Sequence, residues 1–295
     1  MTTKLFMDLA QTASAYREKL PHLPIGVSAS PVELLARINT DLPDEGETAE
    51  LALQTLIKSA ENGLIHSGSP RYFGFVIGGA TPVSVAADWL TSAWDQNAQV
   101  YNTSPAAALI EEVVARWLLE LLGLPAESGV GLVTGAQMAN FTALTVARNT
   151  VLSQQGWDIN VDGLQGAPHI NLICGECCHA TIHSAIHLMG LGNRNIHTVR
   201  ADDQGRMDPQ AFKETLSACD GPTIVCLQAG NVNTGAFDPF TKLDPPGQSP
   251  RRLGARRWRL RSVGQRLPAP QQPAGGRQPG RFLGHRCSQM AECPL

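Results

Sequence analysis

INLICGECCHATIHSAIHLMGLGNRNIHTV, residues 170–199, holds the order on which the fold turns. INLIC (170–174) is an apolar run of strand length, and IHTV (196–199) is a second. Between them, 179–189 places apolar residues at helical spacing. The alternation continues downstream with a helix over 208–219 and the strand-like TIVCLQ (223–228). Strands alternating with helices predict an α/β domain with a largely parallel sheet.

Upstream the chain reads as helical. Gln137 to Gln154 is a helix, preceded by a short apolar strand or extended segment at 129–133. Ser104-Pro105 starts another helix, which runs to a Gly stop at 123. Thr81 and Pro82 suit an N-cap and a first helical position, so Val83 to Gln96 follows as a helix. Apolar spacing predicts further helices over 4–19, 31–39 and 48–66. The expected organisation is an N-terminal helical segment, 1–80, an α/β domain, 81–243, and a different tail, 244–295.

Hydrophobic residues make up 43% of the 295, enough for a globular core. No apolar run is long enough to span a bilayer. The charged, amphipathic N-terminus lacks the features of a signal peptide, which makes the cytoplasm the expected compartment. Seven cysteines at irregular spacing fit reduced thiols better than a disulfide framework. The net charge of -3 hides an asymmetry. Residues 244–295 hold ten Arg, no Lys, one Asp and one Glu; the remainder holds 13 basic and 24 acidic residues, a net of -11.

Three stretches could carry chemistry. In GLVTGAQMANFTALTVAR (131–148) a small-residue turn opens a helix. Unpaired N–H groups and the positive end of the dipole converge there, which suits a phosphate, and Gly135 and Ala136 allow close approach. A tight connection would read the same way. The stretch is neither a Walker loop nor a Gly-x-Gly-x-x-Gly turn. In CGECCHATIHSAIHLMG (174–190), His179, His183 and His187 fall four apart. The Cys-x-x-Cys-Cys-His cluster suggests zinc, but a structural site wants a second ligand pair and the α/β region offers none, so buried thiols and no metal are expected. In LQAGNVNTGAFDPF (227–240) a strand gives way to a polar loop, at the end of the sheet where α/β ligand sites lie.

Taken in this order, with SPRYFGF (69–75) and YNTSPAAALIEEVVARWLLELLGLP (101–125), the stretches resemble the group II pyridoxal-phosphate-dependent amino-acid decarboxylases, the aromatic-L-amino-acid and glutamate decarboxylase family. The resemblance implies the large α/β domain of fold-type-I pyridoxal-phosphate enzymes, with an N-terminal helical segment that packs across a homodimer. It implies pyridoxal 5'-phosphate as cofactor and loss of the α-carboxyl group of an L-amino acid as reaction. By it, Gly135, Ala136 and Gln137 hold the cofactor phosphate, His179 stacks on the ring and aligns the substrate carboxylate, and Tyr72 and Phe73 line the substrate pocket. Neither a nucleic acid nor a membrane is implied as partner. Gln137 departs from the Ser of many members, and Val232 from a Thr near the phosphate; Asn231 or Asn233 could replace that hydroxyl.

The same resemblance requires an Asp for the ring nitrogen, in a His-Val-Asp-x-Ala strand motif, and a Lys that bonds the cofactor, in an Asp-Ala-His-Lys-Trp-like motif. Neither motif appears, and the last Lys is Lys242. From Asp244 the chain has no period of either kind and is rich in Pro, Gly, Gln and Arg, a composition expected to be disordered. Back-translating Leu253 to Leu260 and starting one base later allows Trp-Val-His-Val-Asp-Gly-Ala-Phe. Treating Phe282 to Leu295 alike allows Ser-Trp-Ala-Thr-Asp-Ala-His-Lys-Trp-Leu-Asn-Val-Pro-Tyr. The Trp from Met290-Ala291 is forced, and Gln289-Met290 permits only Lys or Arg. Both missing motifs return in order, which places a frameshift near Leu243–Gly247 and leaves the chain as written without its two cofactor-binding groups. A natural basic tail that binds an anionic partner explains the charge but not the two motifs. A non-catalytic truncated protein, or an aminotransferase of the same fold, would also be compatible with the upstream stretches.

Overall fold

A computed structural model describes residues 2–243, apart from 39, 40, 43 and 76, and the backbone of 257–260. The chain divides into two compact units, Met1–Asp95 and Gln96 onward.

The first unit is helical: α1 (Thr2–Lys19), α2 (Pro31–Ile38), α3 (Ala49–Ala60) and α4 (Pro82–Trp94). Thr48 and Thr81 cap α3 and α4 by accepting from the N–H of Leu51 and of Ser84. The spacing predicts a helix to 66, but α3 stops at Ala60. Asn62 takes a left-handed φ of 63°, and a Cβ on Gly63 would come within 2.7 Å of Leu34 Cδ2. Leu34 of α2 packs against that turn. Likewise Asp95, at φ 47°, ends α4 before Gln96. The helix α4 groups with the three before it, in the compact unit that closes at Asp95. Few side chains are buried in this unit, and α2, α3 and α4 bury none. Val32, Leu35 and Ile38 are 62–77% exposed along α2.

The second unit opens with α5 (Pro105–Leu122), closed by Gly123 in the left-handed region at φ 61°. Residues 129–133 are extended without ladder bonds. There follow α6 (Ala136–Ser153), α7 (Ile159–Asp162), β1 (Asn171–Gly175), α8 (Ala180–Leu188), a single 3-10 turn at Asn193–Asn195, β2 (Ile196–Val199), α9 (Pro209–Ala218), β3 (Thr223–Cys226), α10 (Phe240–Leu243) and β4 (Arg257–Leu260). The strands form one parallel sheet in the order β2-β1-β3-β4. Thus the strand–helix–strand order at 170–199 and the run at 223–226 appear as expected, and α7 and α10, one turn each, are too short to have left a period.

Side chains alternate across the sheet. Leu172, Cys174, Ile224 and Cys226 share one core with α6 and α8, through Leu144, Val151, Leu152 and Ile186. Ile173, Val199 and Val225 share the opposite core with α9 and α10, through Phe212, Phe240 and Leu243. Full burial of each such side chain stabilises the fold by about 1.5–3 kcal/mol relative to exposure, so the two-sided sheet is the stable centre of this unit.

The expected unstructured tail requires one correction. Arg257–Leu260 forms β4, paired residue for residue with Thr223–Cys226. A lone edge on β3 leaves backbone N–H and C=O groups unpaired, and an added strand satisfies them whatever its side chains. The remainder of 244–295 lies outside the described residues.

Candidate cofactor site

Two helix starts meet beyond the C-terminal end of β1. The first is that of α6. Its N-cap is Gly135, at φ 136°, a conformation that a side chain disfavours, and no side chain caps the helix. The first-turn N–H groups, those of Ala136 and Gln137 among them, therefore face outward from the exposed loop 134–136. The second start is that of α8. Here His179 is the N-cap, and its Nδ1 accepts from the N–H of Thr181 at 3.2 Å.

A polar chain joins the two. Gln137 Nε2 donates to the Thr181 carbonyl at 3.4 Å, and Asn140 Nδ2 donates to Thr181 Oγ1 at 2.7 Å. Thr181 Oγ1 lies 2.9 Å from His179 Nδ1. Because Nδ1 accepts the Thr181 N–H, the neutral imidazole carries its proton on Nε2, and the Thr181 hydroxyl donates to Nδ1. The structure thus brings Gly135, Ala136, Gln137 and His179 to one sheet end and fixes the tautomer of His179. Asn140 is buried, with Oδ1 unpartnered. The helical spacing of His179, His183 and His187 does not make one face of equals: His179 caps the helix, His183 turns to Cys178, and His187 is exposed.

The thiols form a second cluster. Cys178 Sγ lies 3.4 Å from Cys174 Sγ and 3.2 Å from His183 Nε2. The hydrogen bond shared with Cys174 and the neighbouring imidazole of His183 pull the Cys178 thiol down toward thiolate against its burial. The same hydrogen bond and burial push Cys174 up. Burial, with the Cys178 charge nearby, pushes Cys226 up to about 12.

The third stretch folds as a closed turn. Asn231 Oδ1 accepts from the N–H groups of Asn233 and Thr234, so its amide oxygen serves the turn. Val232 is 63% exposed. The turn is anchored by Asp238, a residue that no motif singled out. Its buried carboxylate accepts from Met207 N–H at 2.8 Å and Gln228 N–H at 2.7 Å. Burial raises its pKa despite those two bonds, which lower it. Tyr72 and Phe73 belong to the first unit; the Tyr72 N–H donates to Ser69, and Phe73 is 93% exposed.

The residues fit part of a pyridoxal phosphate. The uncapped start of α6 offers N–H donors for a phosphate, and His179 offers a flat ring with a fixed proton. A covalent amine is another matter. Of the five lysines, Lys4, Lys19 and Lys58 lie in the first unit, while Lys213 and Lys242 ride on α9 and α10, against the sheet face opposite α6 and α8. Asp238 is the buried carboxylate among the described residues, and both its oxygens are engaged.

The chain is similar to known amino-acid decarboxylases over part of their length. The chain is 29% identical over 214 residues to the acidic amino acid decarboxylase GADL1 of Xenopus tropicalis, covering 71% of this chain and 41% of that protein. It is 28% identical over 214 residues to the cysteine sulfinic acid decarboxylase of Rattus norvegicus, covering 71% and 42%. The chain therefore spans about 40% of the length of these curated relatives. Among solved structures, mouse CSAD superposes with a TM-score of 0.73 at 23% identity, over 82% of this chain and 51% of that one. Oryza sativa TDC with PLP and tryptamine gives 0.72 at 22%, over 82% and 51%. The fold is that of the fold-type-I pyridoxal-phosphate enzymes, present in part. Residues 31–249 match the pyridoxal-dependent decarboxylase conserved domain, and to that family the chain belongs.

Proposed function

We propose that the intact protein removes the α-carboxyl group of an L-amino acid with pyridoxal 5'-phosphate, and that this chain supplies the phosphate and ring-face half of the site. The observation that carries the reading is the link from Asn140 through Thr181 to His179, which couples the helix start that would hold the phosphate to the ring that would stack on the cofactor. The cofactor, when bound, supplies a ring that accepts electrons from the reacting carbon. The N–H groups at Gly135–Gln137 fix its phosphate. Thr181 holds His179 with Nε2–H outward, where it can donate to the substrate carboxylate and orient it. Tyr72 and Phe73 would line the substrate pocket, and the acidic substrates in the relatives' names come first on any substrate panel.

The two groups that the family motif requires and the chain lacks would come from a frame repaired near Leu243–Gly247. It encodes an Asp at the codons of Arg257-Trp258 and a Lys at those of Gln289-Met290. That Asp codon lies within the stretch that forms β4 beside β3. The exposed apolar residues of α2 support a homodimer that covers them. Among the described residues no helix is long and apolar enough to cross a membrane, and we place the enzyme in the cytoplasm.

The test is to express the repaired gene and follow carbon dioxide release from cysteine sulfinate, aspartate, glutamate and aromatic L-amino acids. Release is expected, with a severe loss in His179→Ala. Amino-group transfer without release would assign an aminotransferase instead. A shifted frame that closes soon after codon 295 would leave the truncated, non-catalytic or basic-tailed binding protein as the better reading.

A further inference from the structure

Cys174, Cys178 and His183 lie outside the cofactor residues, and no step of the proposed reaction uses them. Cys174 ends its side of the sheet within β1, Cys178 stands in the loop that follows, and His183 sits on the first turns of α8. Their Sγ, Sγ and Nε2 atoms all lie within 4.8 Å of one another. Zn–S bonds of about 2.3 Å and Zn–N bonds of about 2.0–2.1 Å put tetrahedral ligand atoms roughly 3.5–3.8 Å apart. The measured 3.4 Å between the two sulfurs and 3.2 Å from Cys178 to His183 are within a few tenths of that edge. Two thiols and an imidazole are soft to borderline donors, a set suited to zinc-class d10 ions and poorly suited to magnesium or calcium.

We propose that Cys174, Cys178 and His183 form a three-ligand site for a zinc-class ion, with solvent in the fourth position. Cys174 is buried while Cys178 and His183 are half-buried, so the ion enters from the side of the loop. Binding displaces both thiol protons to solvent and leaves two thiolates and a neutral imidazole on the metal. The ion would tie the end of β1 to the start of α8, one residue from His179. A second Cys or His pair is not needed, because the third ligand comes from five residues along the same segment. Cys177, exposed, and His187, at the far end of α8, lie outside the set.

The experiment uses the reduced full chain titrated with Co2+ and then with Zn2+. One Co2+ per chain is expected, with a thiolate-to-cobalt charge-transfer band and the visible bands of tetrahedral cobalt, both erased by Zn2+. Cys178→Ser and His183→Gln should each lose that spectrum, while Cys177→Ser and His187→Gln keep it. Retention of the bands in Cys178→Ser, their loss in His187→Gln, or a purely octahedral spectrum in the native chain would overturn the site. A measurement without variants guards against misfolding: Zn2+ should protect Cys178 from iodoacetamide, read by peptide mass, and leave Cys177 reactive. Equal alkylation with and without Zn2+ would overturn the proposal as well.

Discussion

Asp238 shows at the level of one residue how burial and hydrogen bonding compete. Its carboxylate satisfies the Met207 and Gln228 N–H groups, holding the turn after β3 against the start of the segment into α9. Asn would relieve the buried charge, but it offers one acceptor oxygen where two donors must be met. Leaving a buried N–H unmatched costs about 1–3 kcal/mol, so Asp238→Asn should destabilise the folded chain by about that amount in urea unfolding. The pH dependence has a definite sign. Burial raises the folded-state pKa above the unfolded value, so the carboxyl's contribution is full below the unfolded pKa and is lost as pH rises through the folded one. The variant has no such titration. Its deficit relative to the native chain should therefore be largest in acid and should narrow as pH rises through that window. A deficit that widens with pH would show that the charged form is the one the fold prefers.

Between elements, the joint of α6 and α8 rests on Thr181. Its hydroxyl accepts from buried Asn140, whose Oδ1 already lacks a partner. Thr181→Val keeps the shape and removes that acceptor, leaving the Asn140 amide unmatched in the core at a cost of about 1–3 kcal/mol. Faster hydrogen exchange is expected through the first turn of α8, and Thr181→Ser should restore protection; unchanged exchange in the valine variant would mean the hydroxyl is idle. The same joint marks what the sequence could tell. The two helices and the strands around them were legible, because Gly135 punctuates one start and apolar periods of strand and helix alternate after it. The role of His179 as cap was not, since an imidazole caps only when its tautomer is set by Thr181. The turn after α3 packs against Leu34, a neighbour in space, and Asp238 depends on donors 31 and 10 residues away, beyond any local signal. The thiol–imidazole set was in plain view at 174–183, but a search for paired ligand motifs passes over three ligands in one segment. β4 carries no period at all and is fixed by the edge it joins.

At the scale of the whole molecule, the division between a present phosphate half and a missing covalent half can be tested on the chain as it stands. The start of α6 offers its donors whatever follows residue 243. A phosphate at such a terminus gains the first-turn N–H bonds and the dipole. The second unit's described lysines, Lys213 and Lys242, belong to the sheet face opposite α6 and α8. The full chain should therefore bind pyridoxal 5'-phosphate without a covalent bond, with the phosphate as the required handle. In titration calorimetry, pyridoxal without the phosphate should show no comparable binding, and inorganic phosphate should compete. Gly135→Val should weaken the binding, because a β-branched residue is strained at φ 136°. Borohydride treatment should leave no stoichiometric adduct on a single lysine. In the frame-restored protein the same treatment should fix the cofactor on the lysine encoded at the codons of Gln289-Met290. A stable, specific adduct in the unrepaired chain would mean that one of its five lysines reaches the cofactor after all, and the assignment of the missing amine to the shifted frame would fall.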